Sequence, residues 1–287
     1  MPGVYKHGNL QGIAAAMDER YKQGETYAHN LLWDIDRHAE LQGAVARLVA
    51  KHMRPFKSEA DQGVMVEVGC GLRPAATRPY LLPKLMEANG PVEDNALRLI
   101  LSDISVEAQK RVSVEAPAFL REFYGDKILV STIACPAEEI HERVGENEVD
   151  LIVGVETIEH WSDVEAGLTS IYRALKPGGV AVLTTPNRDS LHVRIGRKLG
   201  LNVPFCANDH TYEFGYKELD DLLARFKLNK IDEAGVCCAP YWAMEGVIGN
   251  HIRHMTDNDP EVIGWMNTIG RSCPEFSFCQ AKVFKKD

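Results

Sequence analysis

Short apolar runs alternate with longer amphipathic stretches along this chain from residue 63 onward. The runs have the length of strands, and several are apolar at consecutive positions, as in strands buried on both faces. The predicted strands are 64–68, 97–101, 127–133, 150–155, 180–184, 230–238 and 277–284. The predicted helices are 75–88, 105–123, 164–175, 216–226, 244–254 and 261–269. This alternation predicts an α/β fold with a mostly parallel, seven-stranded sheet and helices on both faces.

The first part of the chain has a purely helical pattern. Apolar residues recur at helical spacing between charged residues over 12–52, and Pro55 ends this pattern. Farther along, Pro117 predicts a break in the helix that contains it. We therefore predict two parts, with the boundaries that follow. They are a helical N-terminal cap over 1–58 and a ligand-binding domain over 59–287, with insertions at 187–215 and 240–275.

Composition limits the classes of function. The 287 residues are 45% hydrophobic and 25% charged, which is ordinary for a globular protein with a sizeable core. The net charge of −9 and the lack of a dense Lys/Arg cluster argue against a nucleic-acid partner. Seven cysteines, an odd count without a C-x-x-C pair, favour a reducing compartment. With no long apolar run and a polar N-terminus, we expect a cytoplasmic protein without a membrane span.

The segment 64–71 is the most informative stretch for function. Its apolar run ends in an acid, Glu67, and glycines follow at positions 69 and 71. Glycine lets the backbone turn sharply and leaves room for a ligand, so Glu67, Gly69 and Gly71 predict a nucleotide-sized pocket at a strand end. The third glycine of a dinucleotide-binding fingerprint is missing, because Leu72 follows. This departure argues against a nicotinamide-dependent dehydrogenase.

Acidic residues follow the next two predicted strands as well. Asp103 ends the second strand, where a carboxylate can accept hydrogen bonds from both hydroxyls of a ribose. Capping the helix that begins near Ser105 is an alternative role that does not exclude the first. Ala137 and Glu138 follow the third strand and would lie beside an adenine, although Glu138 could equally be a surface residue. Together these positions predict a nucleoside-binding edge of the sheet.

Taken in order, a set of motifs resembles those of class I S-adenosylmethionine-dependent methyltransferases. The motifs are Val66-Glu-Val-Gly-Cys-Gly71, Ser102-Asp103, Asp150-Leu-Ile-Val-Gly-Val-Glu156, Leu175-Lys-Pro-Gly-Gly179 and Leu183-Thr-Thr-Pro-Asn187. The resemblance, which runs from 64 to about 223, implies a Rossmann-like fold and S-adenosylmethionine as the cofactor. It implies that the glycine turn wraps the amino-acid end of the cofactor and that Asp103 holds the ribose. Glu156 would lie beneath the sulfonium. Leu72-Arg73-Pro74 departs from the family pattern without an explanation in the sequence, and Arg73 there could place a cation near the cofactor's carboxylate.

The motif Glu156-Thr-Ile-Glu159-His160 follows the fourth predicted strand. Residues three and four apart share a helix face, so Glu156, Glu159 and His160 can converge, and His210 from the insertion could join them. Two carboxylates and two imidazoles suit a divalent metal such as Mg²⁺. The pattern resembles that of small-RNA 3′-terminal 2′-O-methyltransferases, in which the equivalent residues bind metal. In the alternative, His160 is a general base and His210 a second catalytic imidazole, because imidazole titrates near neutral pH.

These observations favour an enzyme that transfers a methyl group to oxygen or nitrogen of a small-molecule metabolite, for example in secondary metabolism. The alternatives are a metal-dependent RNA 2′-O-methyltransferase and a non-catalytic cofactor-binding module. Salt-dependent RNA binding would favour the first, and thermal stabilisation by S-adenosylmethionine without turnover the second. We expect the segment 241–244 to wall the acceptor pocket, and a homodimer is compatible with the sequence.

Overall fold

One mixed sheet forms the centre of the fold. The computed structural model describes residues 10–23, 32–207, 209–240 and 259–287. The strands are β1 (Gly63–Val68), β2 (Leu97–Asp103), β3 (Ile128–Ala134), β4 (Val149–Val155), β5 (Leu175–Pro186), β6 (Leu228–Val236) and β7 (Cys279–Lys286). Their order is β3-β2-β1-β4-β5-β7-β6, and β7 runs antiparallel to both of its neighbours. The predicted seven-stranded, mostly parallel sheet is confirmed.

Helices cover both faces of this sheet. They are α1 (Leu10–Lys22), α2 (Leu32–His52), α3 (Leu81–Asn89), α4 (Val106–Tyr124), α5 (Ile140–Val144), α6 (Val164–Ala174), α7 (Leu191–Lys198), α8 (Tyr216–Arg225) and α9 (Pro260–Ser272). Helices α2, α3 and α4 pack on one face, and α5, α6 and α8 pack on the other. Successive strand residues point to opposite faces, so Met65 belongs to the first core and Val66 to the second.

Prolines explain two departures from the predicted helices. The helix predicted over 75–88 is a 3-10 turn at Ala75–Thr77 followed by α3. Pro79 disfavours helical backbone at the residue before it, so the two pieces stay separate. Pro117, in contrast, does not break α4, which continues to Tyr124. The buried α4 residues on either side of this proline hold both halves of the helix against the sheet.

The Lys-Pro-Gly-Gly segment 176–179 belongs to a strand and not to a loop after α6. Strand β5 begins at Leu175, directly after α6, and is longer at both ends than the predicted strand 180–184. Its register against β4 shifts beside Val149. Gly178, with φ of +78°, lies at this irregularity, where a glycine tolerates the turn of the backbone.

The C-terminal half departs from the predicted pattern in smaller ways. The segment 187–214, predicted to be irregular, contains α7. Strand β6 ends before Cys237, whose φ of +55° lies outside the extended region. The helix predicted over 261–269 is confirmed as α9. The predicted helix 244–254 and the predicted pocket wall 241–244 lie outside the described residues.

The helices predicted as a cap have different positions. Helix α2 lies in the layer with α3 and α4, where Val45, Leu48 and Val49 are part of the core. Helix α1 packs near α4 at the carboxyl edge of the sheet. The division of the chain at residue 58 stays a prediction. Among the described residues, no helix combines the length and the apolar character that a bilayer crossing needs.

Candidate active site

A cavity lies where the order of the strands reverses. From β1 the chain proceeds to β2 and β3 on one side, and it then returns to β4 on the other. Ligands of open α/β sheets bind in the crevice at such a switch point, outside the carboxyl ends of the strands. This cavity has a volume of about 770 Å³. It is lined by every predicted cofactor, catalytic or metal residue: Glu67, Gly69, Gly71, Arg73, Asp103, Ala137, Glu138, Glu156, Glu159, His160 and His210.

The glycine turn after β1 is confined by its neighbours. Gly69 and Gly71 have φ values of +67° and +56°, where a side chain would be strained. A Cβ atom on Gly69 would lie 2.2 Å from Thr157 Oγ1, and one on Gly71 would lie 3.3 Å from the Tyr21 hydroxyl. The loop after β4 and helix α1 therefore hold the turn between them, and position 69 tolerates no side chain.

Replacing Gly69 by alanine should lower the free energy of unfolding by about 2–5 kcal/mol. This range adds the strain of a left-handed alanine, about 1–2 kcal/mol, to overpacking against Thr157, about 1–3 kcal/mol. Gly200→Ala is a matched control, because Gly200 has φ of +74° and nothing within 4 Å of its would-be Cβ. Urea denaturation of both variants measures the difference. Equal losses in the two variants would show that the contact with Thr157 is harmless.

Glu67 fixes the segment that follows the turn. Its carboxylate accepts hydrogen bonds from the backbone N–H groups of Ala75 at 2.6 Å and Ala76 at 3.0 Å. Burial raises the pKa of Glu67 to about 7, although these two N–H groups act in the opposite direction. Glu67 therefore holds the loop that carries Arg73, and it reaches the cavity from below the turn.

Asp103 connects the turn to the start of α4. Its Oδ2 accepts a hydrogen bond from Gly71 N at 2.8 Å, and its Oδ1 accepts one from Ser105 N at 2.9 Å. The N-cap of α4 is Ser105, whose hydroxyl accepts from Ala108 N, so Asp103 does not cap the helix itself. Each carboxylate oxygen of Asp103 keeps a further lone pair that a ligand hydroxyl can use.

A second arginine, which the sequence pattern did not indicate, lines the cavity beside Arg73. Arg78 Nε is buried and has no hydrogen-bond partner in the described part of the chain. Burial and the charge of Arg73 lower the pKa of Arg78, and Glu67 counters this in part. A buried N–H group without a partner is costly, so this guanidinium suits an anionic ligand.

Glu138 serves the start of α6. Its Oε1 accepts hydrogen bonds from the Ser162 hydroxyl at 2.8 Å and from the backbone N–H groups of Ser162 and Asp163, both at 3.1 Å. Ala137 is buried on the same 3-10 turn after β3. Both residues line the cavity, and their roles toward an adenine stay predictions.

Glu156 is bound by residues of α2 and β7. Arg37 Nη1 donates to Glu156 Oε1 at 3.0 Å, and the Cys279 thiol donates to the same oxygen at 3.1 Å. His38 Nε2 lies 3.9 Å from Glu156 Oε2. Burial acts to raise the pKa of Glu156, but the charges of Arg37 and His38 outweigh it and lower this pKa to about 2. Glu156 is therefore an anion that the protein itself neutralises.

Glu159, His160 and His210, which we name the acid–imidazole cluster, come together without Glu156. One ligand atom of each lies within 4.8 Å of the others. His160 Nδ1 lies 3.2 Å from the Asp209 carbonyl oxygen, which can only accept, so this nitrogen carries the proton. Burial and the charge of His210 lower the pKa of His160. His160 is therefore neutral at pH 7, with its lone pair on Nε2.

His210 has the opposite tendency. Burial acts to lower its pKa, but a hydrogen bond to Glu213 and the charge of Glu159 raise it overall. The distance from His210 Nδ1 to Glu213 Oε1 is 2.7 Å, and the Glu213 side chain is buried. The pKa values of the two imidazoles are thus shifted in opposite directions, which favours His160 as the base and His210 as the acid of the pair.

Glu159 is fully buried, and neither of its carboxyl oxygens has a hydrogen-bond partner among the described residues. Its main chain is held in place, because its carbonyl accepts hydrogen bonds from both the backbone N–H and the hydroxyl of Thr211. Burial raises the pKa of Glu159 to about 8, despite the nearby charge of His210. A buried polar group of this kind is uncommon and calls for a functional explanation.

Helix α1 supplies a wall of the cavity that the sequence pattern did not place. One face of the helix lines the cavity, with residues three, four and seven apart. Arg20 anchors it to Asp209 at 2.9 Å, and Asp18 accepts a hydrogen bond from Glu107 N at 3.1 Å. The lining residues of α1 are Leu10, Ile13, Met17, Arg20 and Tyr21.

A known family matches this chain over most of its length. The family model described as a methyltransferase domain matches residues 33–233. A probable S-adenosylmethionine-dependent methyltransferase from Mycolicibacterium smegmatis is 38% identical over 88 residues, which are 31% of this chain and 32% of that protein. The chain thus spans about a third of the length of that curated relative.

Solved structures share the fold at low sequence identity. Magnesium protoporphyrin IX methyltransferase from Synechocystis PCC 6803 has a TM-score of 0.54 and 11% identity, covering 97% of this chain and 100% of that one. The 1,6-didemethyltoxoflavin-N1-methyltransferase from Burkholderia thailandensis has a TM-score of 0.51 and 15% identity, covering 97% of this chain and 91% of that one. The chain belongs to the methyltransferase-domain family, and its fold is that of the class I S-adenosylmethionine-dependent methyltransferases.

Proposed function

We propose that the protein transfers the methyl group of S-adenosylmethionine to nitrogen or oxygen of a small-molecule acceptor. The observation that carries this proposal is that two sets of groups share one cavity. The glycine turn, Asp103, Arg73 and Arg78 suit a nucleoside that carries an amino acid. The acid–imidazole cluster suits a nucleophile that bears a proton. In support, a fold neighbour is an N1-methyltransferase with its acceptor and S-adenosylhomocysteine bound.

The residues present fit this cofactor. Asp103 lies at the end of β2, where the ribose of a bound nucleoside crosses the strand ends of such folds. The missing Cβ atoms at Gly69 and Gly71 let a ligand approach the backbone closely. The unpartnered Nε of Arg78 would donate to the cofactor's carboxylate in a charge-assisted hydrogen bond. Each end of the cofactor would therefore have a partner in the cavity.

When bound, S-adenosylmethionine supplies an electrophilic methyl group on a positively charged sulfur. The chain's own task is to position the acceptor and to exclude water from the cavity. Neutral His160 can accept a proton at Nε2 from a hydroxyl acceptor as the new bond forms. Helix α1 covers the cavity beside the turn and would keep the reacting atoms out of bulk water.

Replacing Arg78 by methionine should weaken binding of S-adenosylhomocysteine by about tenfold or more, because one charge-assisted hydrogen bond is lost. Binding of 5′-methylthioadenosine, which has the nucleoside and sulfur but no amino acid, should stay unchanged. Isothermal titration calorimetry on both ligands measures this contrast. Arg121→Met is the control, because Arg121 lies on the exposed surface of α4.

The proposed reaction is tested with purified protein, S-adenosylmethionine labelled in the methyl group and a panel of small amines and alcohols. Label that appears in an acceptor only with intact protein supports the proposal. If Arg78→Met loses affinity for S-adenosylhomocysteine and for 5′-methylthioadenosine to the same extent, Arg78 does not bind the amino-acid end of the cofactor. Cofactor binding without transfer to any acceptor would favour the non-catalytic module.

A divalent metal at the acid–imidazole cluster is a second proposal for the same residues. One carboxylate and two imidazoles are an acceptable donor set for a divalent ion. The carboxylate of Glu213 on His210 Nδ1 resembles the outer-shell partner that orients metal-binding histidines. Activity that is lost with EDTA and restored by Mn²⁺ would favour this arrangement, and activity that survives EDTA would exclude it.

A further inference from the structure

The acid–imidazole cluster contains a carboxyl group whose hydrogen bonds are missing. Glu159 has no exposed surface, lines the cavity, and has both oxygens without a partner in the described part of the chain. Buried polar atoms are nearly always hydrogen-bonded, because an unmet group loses its hydration without compensation. A group of this kind is expected where a ligand supplies the missing donors.

The cations and donors around Glu159 are directed to other acceptors. His210 Nδ1 binds Glu213, and His160 Nδ1 binds the Asp209 carbonyl. Arg37 binds Glu156. The buried Thr185 hydroxyl is near enough to Glu159 to act to lower the pKa of its carboxyl group, but the two form no hydrogen bond of normal geometry. Glu156 and Glu213 thus have partners within the protein, whereas the carboxyl oxygens of Glu159 have none among the described residues and are available to a ligand.

We infer that Glu159 binds the nitrogen of a primary amine and that this nitrogen is the methyl acceptor, an inference that rests on the proposed function. In its ionised form, which a positive charge on the acceptor favours, the carboxyl group of Glu159 accepts at both oxygens and needs at least two donors. A hydroxyl group supplies one donor, whereas an amine supplies two and an ammonium ion three. The remainder of the acceptor would lie against apolar residues of the same cavity, which include Ile13, Met17 and Phe278.

The transfer step balances without an additional reactant. The amine releases its extra proton to water before it enters the cavity and reacts as its free base, and the nitrogen lone pair forms the new N–C bond. The S–C bond breaks at the same time, and its electron pair returns to sulfur, which leaves S-adenosylhomocysteine as a neutral thioether. The positive charge moves to the nitrogen, which keeps its two protons as a methylammonium ion. Glu159 is placed to stabilise this ion by charge-assisted hydrogen bonds.

Paired probes with one skeleton test this inference. Protein loaded with S-adenosylhomocysteine is titrated with 2-phenylethylamine and with 2-phenylethanol, in EDTA, at millimolar concentrations. The wild type should bind the amine at least about tenfold more tightly than the alcohol. Glu159→Gln should remove this preference and leave the affinity for the alcohol and for S-adenosylhomocysteine unchanged. Glu139→Gln is the control, because Glu139 lies partly exposed on the 3-10 turn at Ala137–Glu139 and carries the same substitution.

Each of the following results would overturn the inference. They are equal binding of the two probes, no binding of the amine, and a preference for the amine that survives in Glu159→Gln. Amine binding that requires added Mn²⁺ would also overturn it, because the acceptor would then be held through a metal. If the wild type does not bind S-adenosylhomocysteine, the proposed function is contradicted instead. Failure of the inference and failure of the proposed function are therefore distinguishable.

Discussion

Replacing Asp103 by alanine should weaken binding of S-adenosylhomocysteine by about ten- to a hundredfold, the loss expected for a charge-assisted hydrogen bond of about 1.5–3 kcal/mol. The variant loses the proposed acceptor for the ribose hydroxyls. It also loses the acceptor of Gly71 N, at 2.8 Å, and with it the shape of the glycine turn. Because the ribose is common to both ligands, 5′-methylthioadenosine should lose affinity to the same extent. Calorimetric titration of the two ligands checks this result.

Two further variants make this prediction specific. Asp103→Asn keeps one oxygen but sets an N–H group beside another donor, Ser105 N or Gly71 N, so it should bind with intermediate affinity. Asp126→Ala removes an exposed acid that pairs with Arg121 and should leave binding unchanged. Full affinity in a folded Asp103→Ala variant would show that the ribose is bound elsewhere. Asp103→Ala should lose affinity for both ligands equally, whereas Arg78→Met should lose affinity for S-adenosylhomocysteine alone. The two results together would establish the orientation of the cofactor in the cavity.

The grouping of the proposed cofactor residues around one cavity could be predicted from the sequence because these residues lie at strand ends. Buried apolar runs predict the strands, and parallel strands bring the residues after them to one edge. Glu67, Gly69, Asp103 and Glu138 therefore lie around one cavity, as predicted. Arg78 was missed because Pro79 replaces a predicted helix by a turn, and the helical pattern gave no reason to place this side chain in the cavity.

The acceptor half could be predicted only in part. The expected convergence of Glu156 with Glu159 and His160 assumed a helix that begins at the end of β4. Glu156 instead has φ of +48°, and the helical backbone is a single 3-10 turn at Ile158–His160. This turn keeps Glu159 and His160 together but directs Glu156 to Arg37. The wall formed by α1 depends on tertiary contacts that no local pattern contains.

The pairing of Glu156 has a large expected effect on stability. Replacing Arg37 by methionine should lower the free energy of unfolding at pH 7 by about 3 kcal/mol, at the lower end of the range of about 3–5 kcal/mol for breaking a buried ion pair. The Arg37 side chain is 8% exposed and that of Glu156 is 20% exposed, so water can relieve part of the lost attraction. Methionine keeps the apolar length of the side chain. Urea denaturation of the wild type and of Arg37→Met, at the same cofactor concentration, measures the loss of unfolding free energy.

The double variant Arg37→Met/Glu156→Gln separates the charge from the packing. Removing the unpaired carboxylate of Glu156 should restore most of the lost stability, since replacing both partners of a buried pair is often close to neutral.

The pH dependence of stability tests the same ion pair, because low pH protonates Glu156 and so removes its charge. In the wild type the pKa of Glu156 is lowered to about 2, so its contribution is complete above the ordinary pKa of 4.5 and is lost as the pH falls toward 2. In Arg37→Met the stability deficit should accordingly shrink as the pH falls and Glu156 is protonated. A deficit that is independent of pH and persists in the double variant would mean that Arg37 acts through its contacts with His38 and Phe278.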